Sequence, residues 1–236
     1  MISIVCWKWG EKYTADQVNV LARAIGRFYE EPHEFVCVTS EPEGLDAAIR
    51  IVAPPVLPHH EQLGSPHGDR FPACYRRLWN FSREAGEAFG PRFFAIDIDT
   101  VITGDLRPIF NRSEEFMIWG DPGHTWAKYG GGAYLMKAGC RDFVWTMFRP
   151  GSSPALALAE GYNGSDQAWI SYCLYPREAT YTREHGMYTS AKWAKLPRGP
   201  EAQLPVEVRM VHFSGKLKPW SFRAQKRYPW INEYYR

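Results

Sequence analysis

The sequence lacks the features that mark membrane-spanning and secreted proteins. No apolar run approaches the roughly 20 residues that a spanning helix needs. The opening segment, residues 1–6, is too short for a signal-peptide core and has no cleavage site. We therefore expect a cytoplasmic protein.

Cysteine is sparse and irregularly spaced. The five cysteines are odd in number, and no two form a C-x-x-C pair. Cys6 and Cys37 lie within apolar, strand-like runs, where a free thiol behaves as a small hydrophobic group. This spacing argues against a zinc site or a disulfide framework and favours a reducing compartment.

Strong charge of one sign is also missing. The formal net charge is only +2 at pH 7, so the sequence does not predict a nucleic-acid partner. The hydrophobic content of 45% is ordinary for a globular chain that buries a core.

The first 52 residues alternate between strand and helix patterns. Residues 2–7 predict a buried strand, and Thr14 and Gln17 form a capping box at the start of a helical pattern. Apolar runs over 34–39 and 48–52 predict two further strands. This order indicates an α/β fold with a Rossmann-like, mostly parallel central sheet flanked by helices. Ligands of such sheets bind beyond the carboxyl ends of the strands.

Later segments continue the α/β pattern. We predict helices over 73–89, 138–148 and from Ser165 onward, and strands over 92–96, 115–119, 133–136 and 206–212. The segment 54–72 predicts a long loop, and its histidines His59, His60 and His67 do not have metal-ligand spacing. Because no linker is evident, we expect one domain over 1–220 and an aromatic, basic tail over 221–236.

Two carboxylates, Asp97 and Asp99, follow the predicted strand over 92–96. Unpaired charges at the end of a buried strand are costly. In a strand, residues i and i+2 lie on the same face, so both carboxylates can address one ligand. A divalent cation with oxygen ligands fits that position, and solvated or loop-capping aspartates are the alternative interpretation.

A late motif resembles that of a known enzyme family. The segment from His212 to Trp220 reads H-x-x-G-x-x-K-P-W and resembles the closing motif of glycosyltransferase family 8. That family includes glycogenin and lipopolysaccharide galactosyltransferases and has the GT-A fold. Earlier positions resemble its other motifs in the same order: Tyr13, Arg77-Leu78, Asp97-x-Asp99 and Asp166-Gln167. The resemblance covers residues 1–220.

The resemblance implies a hexosyltransferase that uses a nucleotide-sugar donor, with a UDP-hexose as the preferred candidate. The acceptor would be a carbohydrate or glycolipid, and transfer would retain the anomeric configuration. Asp97, Asp99 and His212 would hold Mn(II) or Mg(II), and an imidazole ligand favours Mn(II). The metal and Lys218 would neutralise the diphosphate leaving group.

The resemblance also implies roles for other donor-site residues. Tyr13 would stack on the base, Arg77 would reach the diphosphate or the sugar, and Gly215 would let the backbone approach the donor. Asp166 would bind a sugar hydroxyl, and Gln167 would lie near the anomeric carbon.

Two segments depart from the family pattern. Gly130-Gly131-Gly132 stands where the family has Asn-Ala-Gly, so a side-chain contact to the sugar is missing at Gly130. Gly131 and Gly132 would still line the donor site. The residues before Tyr13, Trp7-Lys8-Trp9-Gly10, also differ from the usual polar pattern of the family. The identity of the nucleotide base is therefore left open.

Two rival functions remain. The segment 97–102 also fits the D-x-D-x-[TV]-[LVI] loop of haloacid-dehalogenase-type phosphatases, with Asp97 as the nucleophile. That family needs a later acidic pair for Mg(II), either D-D or G-D-x-x-x-D. Here Gly120-Asp121 is followed four residues on by Thr125 where the second aspartate should stand, and the sequence has no D-D. A nucleotide-sugar-binding protein without turnover is the other rival, and the intact metal ligands argue against it.

The tail combines aromatic and basic residues. It is interpreted either as a segment packed on the domain or as an interfacial patch that binds anionic lipid. The second interpretation predicts peripheral contact with the inner face of the membrane.

Overall fold

The structure is a computed structural model of the chain. It describes residues 1–64, 73–120, 127–190, 196–199 and 202–236. His67, Asp121 and Thr125, which were considered above, lie outside these described residues. The chain divides into two compact units, each built from separate segments. Unit 1 comprises Met1–Ala53, Ile96–Ser113 and Tyr181–Arg236, and unit 2 comprises Pro54–Ala95 and Glu114–Thr180.

Strands and helices alternate along both units. The strands are β1 (Ile2–Trp7), β2 (His33–Val38), β3 (Arg50–Val52), β4 (Arg92–Ile96), β5 (Thr100–Ile102), β6 (Phe116–Trp119), β7 (Gly130–Lys137), β8 (Ala179–Tyr181), β9 (Met187–Thr189) and β10 (Met210–His212). The α-helices are α1 (Ala15–Phe28), α2 (Pro58–Glu61), α3 (Arg83–Phe89), α4 (Arg107–Phe110), α5 (Phe143–Thr146), α6 (Ser153–Ala159), α7 (Asp166–Leu174), α8 (Phe222–Arg227) and α9 (Ile231–Tyr234). Short 3₁₀ segments cover Gly10–Lys12, Tyr75–Phe81 and Arg183–His185.

Unit 1 contains three parallel strands of the seven-stranded sheet, in the order β3-β2-β1. β1 pairs with β2 so that Cys6 lies opposite Cys37. All six residues of β1 are buried, which explains why apolar side chains occupy both faces of this strand. The capping box predicted at the start of α1 is confirmed, because Thr14 Oγ1 accepts from Gln17 N at 3.4 Å and Gln17 Oε1 accepts from Thr14 N at 3.1 Å.

A second, three-stranded sheet also lies in unit 1, in the order β5-β10-β9. β10 is antiparallel to β5 and parallel to β9. The buried cluster on this sheet includes residues of the C-terminal segment. Val211 and Phe213 pack there with Tyr228, Trp230 and Ile231. The tail aromatics Tyr228 and Trp230 are therefore core residues.

Unit 2 contains the other strands of the seven-stranded sheet, in the order β4-β7-β6-β8. β6 and β7 are antiparallel, with Met117 opposite Leu135. The ring of Phe81 stacks on the ring of Tyr134 in β7, with the ring centroids 5.3 Å apart. Asn80 Nδ2 donates to Tyr134 Oη at 2.7 Å. The predicted α/β class, with a mostly parallel central sheet flanked by helices, is confirmed.

The loop predicted over 54–72 contains α2, the strand over 48–52 shortens to β3, and the strand over 133–136 lengthens to β7. Three other predicted elements also differ from the structure. The helix predicted over 73–89 is broken at Ser82, whose extended backbone ends a 3₁₀ segment and whose hydroxyl caps α3. The helix over 138–148 shortens to α5, flanked by turns. The strand over 206–212 shortens to β10, because Val206 is 96% exposed in a turn closed by the bond from Val208 N to Pro205 O.

No helix in the described ranges is long and apolar enough to cross a membrane. The division into a domain over 1–220 and a tail over 221–236 stays a prediction.

Candidate active site

Asp97 and Asp99 lie in the turn between β4 and β5. β4 ends at Ile96 as predicted, and Asp99 immediately precedes Thr100, the first residue of β5. Because both carboxylates lie outside a strand, the alternation rule does not determine their directions. The second sheet fixes Asp99 instead, since Phe213 N donates to Asp99 O at 2.9 Å.

The buried carboxylate of Asp99 has two side-chain donors on one oxygen. Tyr13 Oη donates to Asp99 Oδ2 at 3.2 Å, and Lys218 Nζ donates to the same atom. Lys218 Nζ also donates to Phe213 O at 3.1 Å, and Ser221 Oγ donates to Lys218 O at 2.7 Å. Lys218 is thus held at both its backbone and its ammonium group, and it supplies the positive charge next to Asp99.

His212 lies at the end of β10, directly opposite Thr100. Its Nδ1 and Thr100 Oγ1 are 2.9 Å apart, a hydrogen bond that orients the ring. Burial lowers the pKa of His212 to about 4, although the charge of Asp97 acts in the other direction. The imidazole is therefore neutral at pH 7, the form that binds metal ions.

The charges around Asp99 are tightly coupled. Burial raises the pKa of Asp99, and the charge of Asp97 raises it further, whereas Lys218 and Lys12 act in the opposite sense. Burial is the main cause that raises the pKa of the Cys6 thiol in β1, and the charge of Asp97 adds a smaller contribution in the same direction. Two carboxylates that oppose each other's ionisation are stabilised by an added cation.

This donor set fits a divalent cation in its chemistry. Two carboxylates and a neutral imidazole are ligands that suit Mn(II). Mg(II) also binds carboxylates but has less preference for a nitrogen ligand. In the part of the chain that the structure describes, no three His, Cys, Asp or Glu side chains are arranged as a formed metal site. The cation in contact with Asp99 here is the Lys218 ammonium group.

Aromatic rings and a turn complete this cluster. The Tyr13 and Trp220 rings meet edge to face at 5.8 Å, and the Trp220 and Tyr235 rings are 6.2 Å apart. Gly215 has a φ of +69°, which favours glycine in the turn between His212 and Lys218. The predicted residues Tyr13, Asp97, Asp99, His212, Gly215 and Lys218 all belong to unit 1.

A second cluster, in unit 2, surrounds Asp166. Arg77 reaches Asp166 Oδ2 with two nitrogens, Nε at 2.9 Å and Nη2 at 2.7 Å. Ser165 Oγ donates to Asp166 Oδ1 at 3.1 Å and accepts from Cys74 N at 3.1 Å. Ser165 therefore flanks α7 as predicted, but its hydroxyl orients the carboxylate and does not cap the helix. Arg77, predicted to bind the donor, is paired within the chain.

Gly131 and Gln167 pack against the same carboxylate. A Cβ atom at Gly131 would lie 3.2 Å from Asp166 Oδ2 and 3.3 Å from Gln167 Cβ. The Gln167 amide folds over Gly164, where a Cβ atom would lie 2.7 Å from Gln167 Nε2. Glycine at 131 thus lets β7 approach the start of α7, and Gly132 follows it in the same strand.

Sequence reasoning missed three residues of these clusters. Thr100 contacts His212, Ser165 contacts Asp166, and Tyr235 lies beside Trp220. The position of Thr100 next to Asp99 and that of Ser165 next to Asp166 were visible in the sequence. The position of Tyr235 depends on the packing of the C-terminal segment, and no sequence motif predicted it.

The structure resembles solved glycosyltransferases, although no family model and no curated protein matches the sequence. The galactosyltransferase LgtC, solved with donor and acceptor sugar analogues, is similar over 98% of this chain and 94% of its own, with a TM-score of 0.66 and 13% identity. The glycosyltransferase GlyE of Streptococcus pneumoniae TIGR4 is similar over 94% of this chain and 56% of its own, with a TM-score of 0.57 and 11% identity. Mouse xyloside xylosyltransferase 1 is similar over 89% of this chain and 96% of its own, with a TM-score of 0.53 and 11% identity. The chain therefore has the GT-A fold of these glycosyltransferases.

Proposed function

We propose that the protein is a metal-dependent glycosyltransferase that moves a hexose from a nucleotide-sugar, preferably a UDP-hexose, to an acceptor with retention of configuration. The observation that carries the proposal is the buried Asp99, whose Oδ2 accepts from Lys218 and Tyr13 and whose backbone oxygen accepts from Phe213 N, directly after His212. LgtC, which shares the fold, was solved with donor and acceptor sugar analogues. These groups can hold a diphosphate and its counter-ion at one point.

Asp97, Asp99 and His212 are the residues that would hold the cation. When bound, the ion supplies Lewis-acid neutralisation of the charge that develops on the leaving diphosphate. Lys218 would exchange Asp99 for a phosphate oxygen and add a second positive charge. Tyr13 would remain on Asp99 and keep the carboxylate oriented.

Asp166 and Gln167 would act on the transferred sugar. The carboxylate of Asp166 accepts hydrogen bonds only, and Arg77 and Ser165 fix it in one orientation. A fixed carboxylate suits recognition of sugar hydroxyl groups. Because the Gln167 amide is a poor nucleophile, a front-face route through an oxocarbenium-like state explains retention better than a covalent intermediate.

Thermal unfolding with UDP, with and without Mn(II), tests this proposal. Ligand at a hundredfold excess over its dissociation constant adds about 2.7 kcal/mol, which raises Tm by roughly 5–10 °C for a chain of this size. We expect a UDP shift that needs Mn(II) and is lost in Asp99→Asn. Hydrolysis of UDP-sugars then separates an enzyme from a binding protein without turnover. Absence of any nucleotide effect, together with hydrolysis of simple phosphate esters, would favour the phosphatase alternative.

Membrane contact through the tail remains a separate proposal. It depends on Phe222, which is 80% exposed, and on the exposed residues Arg223 and Lys226 of α8. The other tail aromatics are largely packed, so deleting the whole tail would damage the core. Phe222→Ser is the cleaner variant, and equal pelleting of wild type and variant with anionic liposomes would contradict the proposal.

A further inference from the structure

The C-terminal segment reaches the Asp99 cluster through Tyr235. Tyr235 follows α9, and α9 packs against β5, the strand that begins immediately after Asp99. Arg27 anchors this segment, because its Nη2 donates to Tyr234 O at 2.6 Å and its Nη1 donates to Arg236 O at 3.3 Å. The backbone on both sides of Tyr235 is thus held in place.

Aromatic contacts connect Tyr235 to the carboxylate. The Tyr235 ring lies 6.2 Å from the Trp220 ring, which in turn meets Tyr13 at 5.8 Å, and Tyr13 Oη donates to Asp99 Oδ2. Burial raises the pKa of Tyr235, and the charge of Asp99 raises it further. The phenol therefore remains a hydrogen-bond donor throughout the physiological pH range.

The Tyr235 hydroxyl is buried, and it has no hydrogen-bond partner among the residues that the structure describes. A buried hydroxyl without a partner costs stability, and such groups usually have an identifiable role. The nearby Asp99 Oδ2 already accepts from Tyr13 and Lys218. A buried donor without a partner is therefore left close to the cluster that we assign to the diphosphate.

We propose that Tyr235 is a donor-binding residue whose hydroxyl group donates a hydrogen bond to a phosphate oxygen of the nucleotide diphosphate. The inference rests on the proposed function, since it takes the diphosphate to bind at Asp99 and Lys218. An anionic oxygen is the acceptor that best rewards a desolvated hydroxyl, because charge-assisted hydrogen bonds are roughly twice as strong as neutral ones. The C-terminal segment then contributes directly to substrate binding.

Tyr235→Phe tests the inference, because it removes only the hydroxyl group. The unliganded variant is expected to unfold at the same or a higher temperature than wild type, since a buried unsatisfied group is lost. Its affinity for UDP with Mn(II), measured by calorimetry, is expected to fall roughly tenfold. Pyrophosphate with Mn(II) is expected to lose affinity by a similar factor, because it contains only the diphosphate part. Tyr234→Phe is the matched control, since the neighbouring phenol interacts with Glu233, and its affinities are expected to stay at the wild-type values.

The possible outcomes separate this inference from the proposed function. If wild type binds UDP and Tyr235→Phe binds it equally well, the role of Tyr235 is overturned and the proposed function stands. If only UDP and not pyrophosphate loses affinity, the hydroxyl contacts another part of the nucleotide, and the assignment to phosphate is overturned. If wild type binds neither ligand, both proposals are overturned.

Discussion

Lys218 donates to Asp99 Oδ2, the same oxygen that accepts from Tyr13. A metal ion that approaches Asp99 must therefore compete with an ammonium group that is already in place. A bound diphosphate would offer Lys218 another anionic partner and so release Asp99. This relationship predicts that metal binding depends on the nucleotide.

Lys218→Met tests the competition. We expect the variant to bind Mn(II) alone about tenfold more tightly than wild type, a gain of about 1.4 kcal/mol, because the internal cation is gone. UDP in the presence of Mn(II) should bind more weakly, since a phosphate contact is lost. Titrations followed by electron paramagnetic resonance of free Mn(II) measure the first quantity. Lys216→Met, an exposed lysine in the same turn, is the control, and an unchanged Mn(II) affinity in Lys218→Met would argue against competition.

Removing Arg77 should destabilise unit 2 strongly. The Asp166 side chain is only 4% exposed, so Arg77→Ala would leave a buried charge without its ion-pair partner. Such losses cost about 3–5 kcal/mol. Urea unfolding measures the change, and adding Asp166→Asn to the variant is expected to recover part of it. Arg83→Ala is the control, because the Arg83 side chain in its pair with Asp142 is 84% exposed, and we expect a loss below about 1 kcal/mol. Equal losses at the two sites would contradict the argument.

Gly131→Ala should reduce turnover more than it reduces stability. The new Cβ atom would lie 3.2 Å from Asp166 Oδ2 and 3.3 Å from Gln167 Cβ, so both side chains must shift slightly. Small displacements of catalytic groups cost large factors in rate, on the order of a hundredfold for about 1 Å. Donor hydrolysis and thermal unfolding provide the comparison.

Gly26→Ala is the matched control for that variant. Gly26 lies in α1, and a Cβ atom there would meet nothing within 4 Å. Alanine at a helix interior is expected to add about 0.5–1 kcal/mol of stability without changing donor hydrolysis. If Gly131→Ala behaved like Gly26→Ala, the close packing at β7 would not matter for catalysis.

His60 should make unit 2 less stable in mild acid. Its ring stacks on Trp145 at 4.8 Å, and burial, followed by the charge of His59, lowers the pKa of His60. The unfolded chain therefore takes up a proton at a higher pH than the folded chain. The stabilisation that neutral His60 gives the folded state is fully present above pH 6.5, the ordinary pKa of histidine. It is lost as the pH falls through the lower pKa of the folded state.

His60→Phe keeps the stacking and removes the titration. The free energy of unfolding, measured by urea between pH 8 and pH 5, is expected to fall less steeply for the variant than for wild type. Parallel curves for the two proteins would show that His60 does not titrate differently in the folded and unfolded states.

Local signals determined what the sequence could predict of the fold. β1 and the capping box of α1 depend on residues close together in the chain, and both were predicted correctly. The helix over 73–89 was wrong because apolar spacing continues across Ser82, which ends one segment and caps the next. The strand over 206–212 was too long because the alternation of Val206 and Val208 with polar residues continues through a turn that precedes β10.

The candidate site shows the same division. The motifs identified Asp99, His212 and Lys218, which the second sheet of unit 1 brings together. They did not identify the partners, because the contact of Arg77 with Asp166 joins residues 89 positions apart. The hydroxyl of Tyr235 was also beyond prediction, since its burial depends on how α9 packs.

The assembly of unit 1 from three separate segments has a consequence for synthesis on the ribosome. The segment Tyr181–Arg236 supplies β9, β10 and the residues that cover Val211 and Phe213. β5 therefore has no sheet partner until that segment emerges, whereas every segment of unit 2 precedes it. Unit 2 can thus complete its fold before β10 reaches β5, so the site around Asp99 forms only after every segment of unit 2 has been synthesised.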